Sequence, residues 1–215
     1  YDCPIVCWNP DDPLDDAPSN RGALVAETIG SYDLYVTWSS GVADRISNIA
    51  KKTTVIPFGV DPTQCFPEPW QGSHLLDGVR HRPTFVGTWT KERQAWLSAI
   101  HDLDPIVFGN SWPARSGLDT RPAVHGHLLR QVLGHSLVSL NFLRPQNCDS
   151  HNMRSFEIPA CGGVMLTQTT QLHEEIQRHC GQVHFFSSPD DLRRLISYAP
   201  TQTRTSAISP WLREQ

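Results

Sequence analysis

The sequence predicts an α/β protein in which parallel strands are covered by helices on both faces. Two observations carry this expectation. Short apolar runs alternate with amphipathic stretches almost throughout the chain. A strand–helix–strand order with short connections then demands parallel pairing through right-handed crossovers. The 215 residues suffice for one large or two small domains. With 39% hydrophobic and 19% charged residues, the chain can bury a core and is neither disordered nor collagen-like. A Rossmann-like, doubly wound topology follows, with ligands beyond the carboxyl ends of the strands.

In chain order, residues 4–8 read as a strand ending in the turn cluster Asn9-Pro10-Asp11-Asp12-Pro13. Residues 34–38 and 53–57 are further strands, and 41–50 has helical spacing at Val42, Ile46 and Ile49. Phe58-Gly59-Val60-Asp61-Pro62 and the Pro-, Gln- and Gly-containing stretch to about residue 80 read as an interdomain connection. The alternation then restarts more cleanly. Strands are expected at 84–86, 105–108, 137–142, 164–167 and 183–186. Helices are expected at 91–100, 127–134, 151–161, 171–180 and 189–198, the last with Pro189 just inside its first turn. The loops after residues 86, 108, 142 and 167 are therefore the places to search for a ligand. Residues 201–206 carry no periodicity and read as a tail.

Charge and cysteine usage narrow the function classes. Eighteen Lys and Arg against 22 Asp and Glu give a net charge of -4, so no global basic field argues for nucleic acid or an anionic membrane. No apolar run approaches the roughly 18 residues of a spanning helix. Tyr1-Asp2-Cys3-Pro4 has neither a basic n-region nor a start Met, and reads neither as a signal peptide nor as a natural beginning. Six dispersed cysteines without a secretion signal favour reduced, mostly buried thiols over a disulfide framework, and a cytoplasmic setting. No metal site is expected. Cys148 and His151 lack a second ligand pair, and His173 and His179 are six apart where one helical face needs four. The 173–179 stretch reads as a solvated helix face. Asp11-Asp12 and Asp15-Asp16 read as a solvated loop, with acceptor-cleft lining as the functional alternative. Trp8, Trp38 and Trp89 read as core residues before sugar-stacking ones.

The richest stretch is 140–163. A buried strand ends near Phe142, a polar loop follows, and a helix opens at Asp149 or Ser150, both good N-caps. Met153, Phe156 and Ala160 give that helix a core stripe. Its N-terminus would turn free N–H groups toward the ligand edge of the sheet. Glu157 lies eight residues after Asp149, about 12 Å further along if helical. Two carboxylates so placed could touch both ends of an elongated polar ligand. The plain alternative is a capping Asp, a surface Glu, and a helix stopped by Pro159 and Gly162-Gly163. Asn147, Asp149, Ser150, His151, Asn152 and Arg154 form a dense polar run for a loop.

The run 149–163, with Val164-Met165-Leu166-Thr167 after it, resembles the donor-binding helix of GT-B glycosyltransferases of group 1. It is most similar to the spore-protein-like branch, with its S-H-N-M-R-x-F-E-x-x-A-C-G-G type of signature. Further matches fall in the same order. They are Val55-Ile56-Pro57-Phe58-Gly59-Val60-Asp61, the 85–93 stretch, Phe108-Gly109-Asn110-Ser111-Trp112 and Val124-His125-Gly126. The resemblance implies catalytic roles for Asp149 and His151, with Asp149 standing where the family has a glutamate near the donor sugar. It implies that Glu157 holds the nucleotide ribose. It further implies donor binding by Gly87, Thr88, Lys91, Arg93, Gly109, Asn110, His125, Arg144, Ser150 and Asn152. Gly87 would let backbone approach the ligand. Lys91 or Arg93 would neutralise the diphosphate, unless each is simply an exposed first-turn residue.

A GT-B architecture with an incomplete N-terminal lobe is thus expected: 1–65 a remnant of the acceptor-side lobe, 66–200 the nucleotide-sugar-binding lobe, and 201–215 a tail. The Tyr1 start reads as a cut through a lobe. The implied activity is retaining, metal-independent transfer of a sugar from a nucleotide-diphosphate donor to an unidentified acceptor hydroxyl. No cofactor, nucleic acid or transmembrane segment is expected. Two alternatives remain open: a non-catalytic nucleotide-binding or interaction module, and a sugar-phosphate or nucleotide-processing enzyme on the same fold.

Overall fold

The computed structural model of the chain describes residues 3–14, 22–144, 147, 150–199 and 209–213. They fall into two units. One holds the described residues up to Phe58 together with Arg144, Asn147, Ser150 and His151. The other holds those of 59–143 and those from Asn152 onward.

In the first unit, β1 (Val6–Trp8), β2 (Leu34–Thr37) and β3 (Thr53–Val55) pair in parallel, with β2 in the middle. Helix α1 (Gly22–Thr28) precedes β2, and α2 (Ser40–Ile46) links β2 to β3. Ser39 starts α2 by accepting the Val42 N–H at 3.4 Å. Ile29, Tyr35 and Ile46 form the core, and the Tyr35 hydroxyl takes a hydrogen bond from Asn9 Nδ2 at 2.8 Å. Burial pushes that hydroxyl's pKa up to about 12. Three expectations change here. The unexpected α1 offers no buried stripe to read, since Leu24 is exposed. Ile49 lies beyond the end of α2 and is exposed, because the helix stops at Ile46. Asp12 is buried, not solvated: it pairs with Arg45 at 2.6 Å and accepts the Leu14 N–H at 2.9 Å. Asp15 and Asp16 lie outside the described residues.

The second unit holds β4 (Pro83–Val86), β5 (Ile106–Phe108), β6 (Asp119–Arg121), β7 (Val138–Asn141), β8 (Met165–Thr167) and β9 (Val183–Phe185). Their order is β6-β5-β4-β7-β8-β9, every pair parallel. The helices are α3 (Lys91–Ala99), α4 (Gly126–His135), α5 (Arg154–Ala160), α6 (Gln171–Cys180), α7 (Pro189–Tyr198) and the short α8 (Pro210–Arg213). Thr90, Thr170 and Ser188 each cap a helix by accepting the N–H three residues on. Strands β4, β5, β7 and β8 are buried along their whole length, as a sheet covered on both faces requires. Phe85, Leu97, Val107, Phe142, Leu166 and Phe186 lie at the centre of the core. From β4 the chain first moves outward through β5 and β6, then returns to β7 on the other side. The strand order therefore reverses between β4 and β7, which is the doubly wound arrangement the alternation predicts.

Strand β6 escapes a pattern reading because Asp119-Thr120-Arg121 is polar. It is an edge strand fixed by Arg121, which reaches Asp119 at 2.7 Å and the carbonyls of Leu75 and Asp77 at 2.8 Å. The stretch after residue 58 is likewise no free connection. The fully buried Gln131 side chain donates to Pro69 O and accepts the Gln71 N–H, both at 2.9 Å. Glu68 accepts from Arg130 at 3.1 Å and meets His127 at 2.9 Å. The units accordingly divide after Phe58 and not at residue 65, and the loop residues after Leu143 group with the first unit. Of the tail expected at 201–215, residues 201–208 lie outside the described residues, whereas Pro210–Arg213 forms α8 with Leu212 buried and is no loose tail. Among the described residues, no helix is long and apolar enough to cross a membrane. Cys3, Cys7, Cys65, Cys161 and Cys180 are free thiols, with Cys65 and Cys161 buried; Cys148 lies outside the described residues.

Candidate functional site

Strand order reverses between β4 and β7, and doubly wound sheets hold their ligand crevice beyond the carboxyl ends of the strands at such a point. The loops after β4 and β5 close together at this edge. Gly87 donates its N–H to Phe108 O at 2.9 Å and accepts the Trp112 indole N–H at 2.9 Å. Trp89 donates its N–H to Asn110 O at 3.1 Å. A Cβ on Gly109 would stand 2.0 Å from Gly87 O, so the two backbones touch where side chains are absent. Thr88 and Asn110 are exposed on this edge. Arg93 lies behind it, buried. Its guanidinium donates to Thr88 O at 2.9 Å and Phe142 O at 3.2 Å, and stacks 5.2 Å from the Phe85 ring. It therefore braces the two sides of the crevice. That overturns the exposed-residue reading of Arg93.

Helix α5 begins later than expected. Asn152 donates its N–H to Ser155 Oγ at 3.2 Å, and Ser155 returns its N–H to Asn152 Oδ1 at 3.2 Å. This reciprocal cap starts the helix, so Ser150 is not its N-cap. Glu157 consequently lies in the first turn of the helix and not two turns in. Met153, expected in the core stripe, is 55% exposed, whereas residues 155–160 are all buried. Arg154 and Glu157 form an ion pair, and Arg154 Nε donates to Val86 O at 3.4 Å. The pair therefore stands at the carboxyl end of β4. Burial lowers the pKa of Arg154, so its cation leans on the Glu157 carboxylate.

A polar network anchors this helix from below. Asn152 Nδ2 donates to Asn141 Oδ1 at 2.9 Å, and Asn141 Nδ2 to Ser155 Oγ at 3.3 Å. Ser155 Oγ meets His173 Nε2 at 2.7 Å, and His173 Nδ1 meets Gln168 O at 2.9 Å. A carbonyl can only accept, so Nδ1 carries the proton and Nε2 accepts from the serine. His173, read as part of a solvated face, is instead fully buried, and burial lowers its pKa to about 4. For a depressed histidine, the stabilisation is complete above the unfolded value of 6.5 and is lost as pH falls toward 4. That predicts a loss of about 3 kcal/mol over this window, at about 1.4 kcal/mol per unit. Urea unfolding of the native chain and His173→Gln at pH 7.5 and 4.5 checks it: the substitution flattens the slope.

The second unit thus gathers Gly87, Thr88, Gly109, Asn110, Asn152 and Glu157 around one sheet edge. Lys91 is exposed on the first turn of α3, and His125 is exposed at the start of α4, the helix that follows β6. The other expected residues belong to the first unit. His151 is buried there, its Nε2 accepting the Phe58 N–H at 2.9 Å. Its Nδ1 therefore carries the proton, 2.6 Å from Ser150 Oγ. Both ring nitrogens are thus hydrogen-bonded, which fixes the His151 ring within its loop. Arg144 is half-buried and accepts the Asn147 N–H through its carbonyl at 2.8 Å. Asp149 lies outside the described residues. Trp38 is core and stacks on Phe58 at 5.9 Å, whereas Trp8 is 68% exposed and Trp89 donates its indole N–H to Gln94 at 2.6 Å. Sequence reasoning missed Arg154 as a site residue; its i,i+3 relation to Glu157 was the available signal. Trp112 stood only within the Phe108–Trp112 match and Asn141 only within the 140–163 stretch, neither with a role of its own.

Residues 91–209 match the family described as glycosyl transferase-like. No curated protein shows significant sequence similarity to the chain. Among solved structures, the fold is similar to sucrose-phosphate synthase from Thermosynechococcus elongatus, at TM-score 0.62 and 12% identity over 97% of this chain and 62% of that one. It is similar to AviGT4, a glycosyltransferase involved in avilamycin A biosynthesis, at TM-score 0.51 and 15% identity over 81% and 56% of the two chains. The E. coli trehalose-6-phosphate structure bound with UDP-2-fluoro glucose matches at TM-score 0.55 and 14% identity, over 93% and 59%. The chain spans about 56–62% of the length of these proteins.

Proposed function

This chain belongs to the glycosyl transferase-like family, and from that premise we propose that it moves a sugar from a nucleotide-diphosphate donor to an acceptor hydroxyl, with retention of configuration. The observation that carries this reading is what lines the sheet edge where the strand order reverses. Side-chain-free backbone at Gly87 and Gly109 borders it on one side and the Arg154–Glu157 pair on the other. An elongated polar donor suits such a crevice. Its diphosphate lies along the glycine loops with Lys91 and Arg154 nearby, and its ribose hydroxyls donate to Glu157. The UDP-2-fluoro glucose in the E. coli relative supports a nucleotide donor, as a property of that protein. Free thiols among the described residues suit a reducing, cytoplasmic setting.

Two outcomes are expected. Titration calorimetry with UDP, GDP and their sugars yields binding to at least one nucleoside diphosphate, and EDTA leaves it unchanged because side-chain cations meet the phosphates. Lys91→Ala weakens that binding about fivefold, the weight of one exposed charge at roughly 1 kcal/mol. The reading fails if no nucleoside diphosphate binds. Anomeric NMR of the transfer product tests retention.

A further inference from the structure

We propose that the second unit carries a separate binding site for an anionic monosaccharide, a hexose bearing a phosphate or a carboxylate. A cavity of about 570 Å³ is lined by Trp70, His74, Asp77, Arg80 and His81, a volume typical of small-molecule pockets. The single helical turns His74–Leu76 and Val79–His81 that build it precede β4. Val79 O accepts the Leu137 N–H at 3.1 Å, just ahead of the parallel strand β7. The cavity therefore sits at the amino ends of β4 and β7, opposite the Gly87 and Gly109 loops.

Its walls are held in place by the rest of the unit. Leu76 and Val79 are buried, and Arg121 donates to the carbonyls of Leu75 and Asp77 at 2.8 Å. Gln131 accepts the Gln71 N–H at 2.9 Å beside Trp70. His135 Nε2 donates to Glu68 O at 2.7 Å, and its ring meets the Trp70 indole edge-on at 5.4 Å. Such a cavity needs little ordering to receive a ligand.

The groups along the walls decide which ligand. Arg80 is exposed, with its guanidinium 5.9 Å from the Trp70 ring. Arg82 nearby is neutralised by Asp104 at 2.8 Å and Asp119 at 2.9 Å. Arg80 makes no such ion pair among the described residues, so its fork of donors is open to a phosphate or carboxylate. Asp77 is exposed too, 3.9 Å from His74. A carboxylate only accepts, so it suits hydroxyl groups and opposes a bare anion. The Trp70 indole offers an apolar surface for the C–H face of a sugar ring. Inorganic phosphate would use Arg80 alone, and a neutral sugar would leave it idle. An anionic sugar uses all three groups.

The test is titration calorimetry of the native chain with glucose 6-phosphate and glucuronate, beside glucose and inorganic phosphate as the separate parts. At least one anionic sugar should bind saturably, at least tenfold more tightly than either part. Which one binds distinguishes phosphate from carboxylate recognition. Arg80→Gln, a change at an exposed position, should weaken that binding about tenfold or more. In the isotope-labelled chain, the sugar should shift the Trp70 indole N–H and leave the Gly87 and Gly109 amides in place. Failure of both anionic sugars to bind, equal binding of glucose or phosphate, unchanged affinity in Arg80→Gln, or shifts centred on Gly87 and Gly109 would each overturn the proposal.

Discussion

Gly109→Ala is expected to destabilise the second unit by about 3 kcal/mol or more, among the costliest single methyl additions available to this chain. The new Cβ would stand 2.0 Å from Gly87 O, a main-chain atom already accepting the Trp112 indole. No side-chain rotation relieves that overlap, so the paired loops must separate. Gly109 N–H to Arg121 O at 3.1 Å and Gly87 N–H to Phe108 O at 2.9 Å weaken with them. Gly117→Ala is the control. Its φ of +73° strains a side chain, but no atom lies within 4 Å, so the cost is about 1 kcal/mol. Urea unfolding of both variants decides the matter, and equal midpoints would deny the close approach. Because the same loops border the crevice, Gly109→Ala should also lose nucleotide affinity, whereas Gly117→Ala should keep it.

Glu157→Gln is expected to weaken nucleoside diphosphate binding about 10- to 100-fold. That is the weight of a charge-assisted hydrogen bond, roughly 1.5–3 kcal/mol. The variant also strips Arg154 of its counter-charge. The pair is partly exposed, at 26% for the arginine side chain and 11% for the glutamate, so the stability loss should be about 2 kcal/mol, below that of a fully buried pair. Two effects in one variant need separating. Arg154→Met combined with Glu157→Gln removes the stranded cation and should recover much of the stability without recovering affinity. If stability and affinity return together, Glu157 only supports Arg154 and does not meet the nucleotide.

Much of the second unit was legible because β4, β5, β7 and β8 are buried runs and α3, α6 and α7 each begin with a side-chain cap. Helix α6 after Thr170 and α7 after Ser188 match their expected spans. The opening of α5 was not legible. Asp149, Ser150 and Asn152 are all competent N-caps by type, and the choice fell to Asn152 through Ser155 and Asn141, partners set by the fold. Strand β6 was hidden because Asp119 and Arg121 satisfy each other in an edge position that needs no apolar run. His173 and Arg93 failed for a shared reason. Both are polar residues near a helix start that composition assigns to the surface, yet each finds its partners inside. The glycine loops at 87 and 109 were found from their place after strands, which topology fixes more firmly than side-chain chemistry does.

On the proposed function, a nucleoside diphosphate occupies the crevice where the strand order of the second unit reverses. Amide chemical-shift mapping of the isotope-labelled chain, titrated with UDP and GDP, tests this directly. The largest shifts are expected on Gly87, Thr88, Gly109, Asn110 and the α5 amides of Arg154 to Glu157, and they should vanish in Glu157→Gln at the same nucleotide concentration. Saturable shifts centred away from those loops, or none with either nucleotide, would contradict it.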